Sequence, residues 1–176
     1  MIHIITAAPS NAGRSFDPES SICVNRGIIG RECRHWVAGD TFTVNWVLER
    51  QKPPAYDCRL WTMKNENPTP KYFAHVGRFD LLPGWTALPG GHANWSIQGA
   101  VALAVHLWLQ RDLIGRVVIH GTEAYFDKIT EAADSAGFAG EQADRGADRW
   151  KREREDLDLS ISWAQSKGAT VYLDRT

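Results

Sequence analysis

The sequence predicts an α/β fold of three layers, with a mostly parallel sheet of about six strands between helices. Three observations carry this. Short apolar runs recur along the 176 residues and are separated by helix-like segments. Their hydrophobicity is continuous rather than alternating, as strands buried on both faces require. Two of them, Ile2–Thr6 and Arg116–His120, break at once into small or polar residues. An open α/β sheet presents a ligand edge in this way, at the carboxyl ends of its strands.

The strands are read at Ile2–Thr6, Ser21–Val24, His35–Ala38, Cys58–Thr62, Val117–His120 and Ala169–Leu173. Between them, Asn25–Glu32 predicts a short helix, and Thr41–Arg50 opens on an Asp40/Thr41 cap signal. Ile97–Gln110 is the clearest helix, with Ala100, Leu103, Ala104, Leu107 and Trp108 on one face. Thr122–Ala136 is a weaker one. Asp148–Lys167 is long, charged and amphipathic, and Gly168 supplies its stop. The sign alternation over Lys151–Asp156 is that of a solvated helix face. Asn65–Asn94 breaks the rhythm, because it carries Pro68, Pro70, Pro83 and Pro89 among four glycines. It is expected to be a long lid-like loop, with Ala136–Gly146 as a second mobile segment. Residues 1–176 are expected to form one domain.

Composition narrows the function classes. A net charge of -1, from 20 basic and 21 acidic side chains, provides no broad basic surface for gripping nucleic acid. Nucleic acid therefore stays in play only as an acceptor that charge does not favour. Cys23, Cys33 and Cys58 lack any C-x-x-C spacing and are expected to be reduced thiols. No secretory leader and no apolar stretch of about 18 residues is present, so the expectation is cytoplasmic, with no membrane partner. Trp85 and Trp95 sit among glycines and prolines and are expected to line a pocket or a contact between copies in a homo-oligomer.

Three constellations could carry chemistry. The first is Ala8, Pro9, Ser10 and Asn11 after the first strand, together with Asn25 and Arg26 after the second. Small residues there let a phosphate approach backbone N–H groups. Arg26 either neutralises that phosphate or points to solvent. The second is Gly90-Gly91-His92 leading through Ser96, Gln98 and Gly99 into the clearest helix. Glycines before a helix N-terminus favour an anion. His92, in a glycine-flanked loop, is the first choice of general acid or base. The third is His120-Gly121-Thr122-Glu123. His120 is either a catalytic group or a satisfied core histidine. Glu123 and Asp40 each read as a sugar-hydroxyl contact or a helix N-terminal carboxylate, and no metal motif accompanies them.

The order strand-A-P-S, V-N-R, W-V-A-G-D, helix and V-V-I-H-G-T-E resembles a Rossmann-like family. That family includes bacterial lipooligosaccharide sialyltransferases, hydroxymethyldihydropterin pyrophosphokinases and related short phage proteins. Its pattern is a first strand ending in G-x-G-P-S, an Asn after the second strand, S-G before the long helix, and a strand ending in G-x-D. The first turn then falls on Ala8, Pro9 and Ser10, and the nucleotide-contacting Asn on Asn25. The S-G pair falls on Gln98 and Gly99, and the last motif on Gly121 and Glu123. This chain departs in having Ala7-Ala8 for the glycines, Gln98 for Ser and Glu123 for Asp.

The resemblance implies a nucleotide- or nucleotide-sugar-dependent transferase, glycosyltransferase-like and phage-encoded in type. The nucleotide would be held by Ala8, Pro9, Ser10, Asn11, Asn25, Arg26, Ser96, Gln98, Gly99, Gly121 and Glu123. His92, Asp40 and His120 are the candidate catalytic residues. The nucleotide would be a co-substrate, with room for Mg²⁺ and no covalently bound cofactor. The alternatives are a non-catalytic nucleotide- or partner-binding protein and a pyrophosphokinase-type phosphoryl transferase.

Overall fold

A computed structural model describes residues 1–39, 41–50, 58–62, 78–81, 96–111, 115–122 and 147–174. Its centre is a seven-stranded sheet of β1 (Ile2–Ile5), β2 (Ser21–Val24), β3 (His35–Val37), β4 (Arg59–Thr62), β5 (Arg78–Leu81), β6 (Arg116–His120) and β7 (Thr170–Asp174). The spatial order is β5-β4-β3-β2-β1-β6-β7, and every neighbouring pair runs parallel. Three helices accompany it among the described residues: α1 (Thr41–Arg50), α2 (Ser96–Arg111) and α3 (Ala147–Ser166). The expected α/β architecture is present, with one strand more than the runs suggested.

That strand is β5. It lies inside the segment read as a lid-like loop, where Arg78–Leu81 pairs in parallel with β4. Gly77 and Pro83 bracket only five residues, two of them charged. Charged side chains are common on an edge strand, which is what the sheet order makes of β5. The rest of Asn65–Asn94, including Trp85, His92 and all four prolines, lies outside the described residues, as does Ala136–Gly146.

The period-2 alternation of each strand sorts its side chains between two cores. Ile2, Ile4, Ile22, Val24, Val37, Val117 and Ile119 face α2 and α3. Ile5, Cys23, Trp36 and Leu60 face the opposite way, against Val44 and Val47 of α1. The three thiols belong to this second core, where all are buried, and the Cys33 thiol donates to the His35 carbonyl at 3.2 Å. α2 was expected to bury one face, but Ser96 through Val105 are all buried. The reason is that α3 lies on it, so the helix is covered by sheet on one side and helix on the other.

Local signals explain the ends of these elements. Gly168 takes φ +92 after α3. The Gly168 N–H bonds to the Gln165 carbonyl and the Ala169 N–H to the Ala164 carbonyl, the paired closure of a Schellman motif. The short helix expected over Asn25–Glu32 is a single 3-10 turn, Asn25–Ile28. Asn25, at its start, sits at φ 50 and Gly30, two residues past its end, at φ 70, and left-handed residues on both sides confine it to one turn. The weaker helix expected from Thr122 does not begin there, since Thr122 is irregular; its remaining residues lie outside the described set.

Candidate functional site

The sheet order has its switch point at β1. The chain moves outward from β1 through β2 to β5, then returns to lay β6 on the other side of β1. In an open parallel sheet the ligand crevice lies at the carboxyl ends of the strands beside such a point. Here that rim consists of the residues following β1, β2 and β6.

Between β1 and β6 the rim is closed by the protein itself. The Thr6 hydroxyl donates to the carbonyls of Gly121 at 2.8 Å and His120 at 3.1 Å. The Asn11 side-chain amide donates to the carbonyls of Thr6 at 3.0 Å and His120 at 3.2 Å. Asn11 is fully buried. Gly121 sits at φ +75, and a Cβ there would come within 2.5 Å of Ala8 Cβ, Asn11 Nδ2 and Thr6 Oγ1. Both Gly121 and the Asn11 amide nitrogen, expected to contact nucleotide, are therefore occupied in joining the two strands.

On the α1 side of β1 the rim opens into a cavity of about 700 Å³. That is within the range of small-molecule sites. Ile5 forms part of its floor, Ala7 and Ala8 one edge, and the Arg14–Pro18 and Arg26–Glu32 segments its walls. Arg14, Arg26 and Arg31 are among its described lining residues, with Glu32 as the acidic one. Arg26 is not the solvated arginine that its position allowed. It is 2% exposed, with its guanidinium carbon 3.9 Å from the centre of the Trp46 ring on α1. A stacked guanidinium keeps its charge while its plane is held in place. Arg31 donates to the Gly27 carbonyl at 2.9 Å and also to the Asn11 carbonyl, so it ties the two walls together. Gly27 itself permits the close approach, because a Cβ there would fall 2.5 Å from the Ile5 carbonyl oxygen.

Of the residues expected to hold nucleotide, Ala8 and Arg26 line this cavity. Ser10 is half-buried next to it in the 3-10 turn Pro9–Asn11. Asn25 stands at the end of β2, and its backbone carbonyl accepts from the Trp36 indole at 2.8 Å. Ser96, Gln98 and Gly99 lie in the first turn of α2 and none lines the cavity. The Ser96 hydroxyl accepts from the Gly39 N–H at 2.8 Å, fastening α2 to the end of β3. Gln98 donates to the Asp156 carbonyl of α3 at 3.2 Å, which makes it a helix–helix contact. Asp40, His92 and Glu123 lie outside the described residues.

Three buried oxygens on this rim have no hydrogen-bond partner: Asn11 Oδ1, Asn25 Oδ1 and Thr122 Oγ1. They follow β1, β2 and β6, three adjacent strands of the sheet. A buried polar atom left alone costs about 1–3 kcal/mol, so three around one rim mark it as a place where a polar ligand or water belongs.

His120 is the one catalytic candidate that the structure describes, and both of its ring nitrogens are engaged. Nδ1 is 2.8 Å from Asp174 Oδ2, and Nε2 is 2.8 Å from Nδ1 of His3. Arg14 donates to the same Asp174 oxygen at 2.8 Å. Burial lowers the pKa of His120 against the opposing pull of Asp174, and burial together with the neighbouring His120 lowers that of His3. Phe16 packs on both imidazoles, with ring centres 4.7 Å from His120 and 5.7 Å from His3.

Reading along the sequence missed His3, Arg14, Phe16, Arg31 and Asp174. His120 and Asp174 are directly opposite in the β6–β7 register, and Ile5 is opposite His120 on β1. Pairing therefore assembles this row, and no local spacing announces it. Among the described residues no group of three or more His, Cys, Asp or Glu side chains could hold a metal ion. No described helix is long and apolar enough to cross a membrane. Compared with family models, curated proteins and solved structures, the chain matches none.

Proposed function

We propose that this protein binds a nucleotide or nucleotide sugar at the carboxyl rim of β1 and acts as a glycosyltransferase-like transferase. The observation that supports this most is the cavity of about 700 Å³ beside the switch point, with Arg14, Arg26 and Arg31 in its walls. A phosphate or pyrophosphate group fits that charge, because guanidiniums bind such oxyanions through paired N–H donors. The partnerless oxygens of Asn25 and Thr122 would serve the polar remainder of the ligand. Catalysis would rest on positioning and on support of the departing phosphate by the arginines. His92, Asp40 and Glu123 are the proposed contacts to the acceptor and the sugar hydroxyls.

A second reading is a nucleotide-binding protein without turnover. It is favoured by the closed junction between β1 and β6, where Ala8 and Asn11 occupy the space over Gly121. Titration calorimetry with CMP, UDP and GDP sugars tests the donor site. Saturable binding of one class, weakened at least tenfold in Arg26→Met, is expected. A well-folded protein that binds none would sink the proposal. Binding without hydrolysis or transfer, unchanged in His92→Ala, would favour the second reading.

A further inference from the structure

We propose that His3 is the proton-exchanging residue of the arginine-lined site: when a phosphate-bearing anion occupies the cavity, the row Asp174–His120–His3 takes up one proton, which enters at Nε2 of His3. This rests on the anion reading of the cavity and adds a protonation step to it. The row itself dictates where the proton goes. The Asp174 carboxylate, also bonded by Arg14, can only accept, so Nδ1 of His120 carries a hydrogen. In the neutral ring Nε2 of His120 then accepts, and Nδ1 of His3 donates to it at 2.8 Å. Nε2 of His3 is the one ring nitrogen of the row that these bonds leave open. A proton from solvent adds there without breaking any of them, turning the His3 imidazole into imidazolium.

The row shares its walls with the cavity. Phe16 lines the cavity and packs on both imidazoles. Arg14 lines it too, lies 5.3 Å from the Phe16 ring centre, and bonds Asp174. Ile5 of the floor is the next residue after His3 on the same face of β1. The charged groups acting on His3 are the N-terminal amine, Arg14, Asp17 and His120, and those acting on His120 are Asp174 and Arg14. Burial, helped at His3 by the N-terminal amine and Arg14, keeps both rings neutral near pH 7, which leaves the row able to accept a proton. An anion in the cavity offsets the repulsion from Arg14, which lines it and acts on both rings, and so favours the imidazolium. By reciprocity, protonation of His3 tightens the anion.

Titration calorimetry of the full chain tests this with sulfate and UDP-glucose, whose charges do not change near neutral pH. Measurements at pH 7 in buffers of different ionisation heats give the number of protons taken up. Net uptake of part of one proton is expected, together with tighter binding at pH 6 than at pH 8. His3→Asn keeps an N–H near the Nδ1 position but cannot be protonated, so it should bind with no uptake. Should that variant not fold, the His3 ring resonance of the natural protein is followed against pH, and its midpoint should rise when sulfate is added. Binding with no uptake, or a midpoint that stays put, overturns the role of His3 and leaves the cavity reading standing. Uptake that persists in folded His3→Asn overturns the assignment to His3. Failure of both probes to bind overturns the cavity reading and this inference together.

Discussion

At the scale of single residues, Gly121 and the two histidines carry the sharpest expectations. Gly121 needs its missing side chain twice, once for φ +75 and once for the 2.5 Å approach of Ala8, Asn11 and Thr6. Left-handed strain and overpacking each cost about 1–3 kcal/mol. Gly121→Ala should therefore lower unfolding free energy by about 3 kcal/mol, measured by urea denaturation. A loss below about 1 kcal/mol, within the range of ordinary surface changes, would show that the junction is loose. His3 and His120 both titrate below their ordinary value of 6.5. The unfolded chain then binds more protons than the folded one as pH falls from about 6.5 toward the lowered values. Their contribution to stability is complete above about 6.5 and is lost below it. Thermal midpoints should fall on acidification from pH 7 to pH 5, less steeply in His3→Asn. An equal slope in that variant would assign the acid sensitivity elsewhere.

At the scale of elements, α2 is the main beam. Leu103 is fully buried between sheet and α3, so Leu103→Ala should cost about 2–5 kcal/mol through lost transfer energy and the cavity left behind. Calorimetric unfolding would measure it, and a cost under about 1 kcal/mol would mean that the site collapses around the smaller residue. Most elements were legible because local chemistry and tertiary role agree. Thr41–Arg50 forms a helix over the span its cap signal and pattern predict, and β2 forms over Ser21–Val24. β5 was not legible, because a four-residue edge strand between Gly77 and Pro83 needs only β4 to pair with and has no long apolar run of its own. Gln98, matched to the Ser of the family pattern, donates to the Asp156 carbonyl of α3, a helix–helix contact that no local spacing announces.

At the scale of the whole molecule, charge distribution outweighs net charge. The chain carries -1 overall, yet Arg14, Arg26 and Arg31 converge on one cavity with Glu32 as the lining carboxylate. Ligand attraction should therefore be local and depend only moderately on salt, since the buried Arg26 is screened less than surface charge. Calorimetry of a bound nucleotide sugar at about 0.05 M and 0.5 M salt should show weakening of about tenfold or less. A steep fall like that of duplex nucleic-acid binding would instead point to a surface polyanion site.

The candidate site was legible only in outline. Continuous apolar runs ending in small residues determined a parallel α/β sheet whose β1 runs into a small-residue turn, because burial on both faces permits little else. Tertiary structure alone decided which side of that edge is open. It closed the β1–β6 junction with Thr6 and Asn11, and it opened the α1 side onto Arg14, Arg26 and Arg31 from the segments on either side of β2. It also set His3, His120 and Asp174 in one hydrogen-bonded row, from strands whose residues lie 117 and 54 positions apart. Strand register brings such residues together, and register is a property of pairing between distant segments that no local pattern encodes.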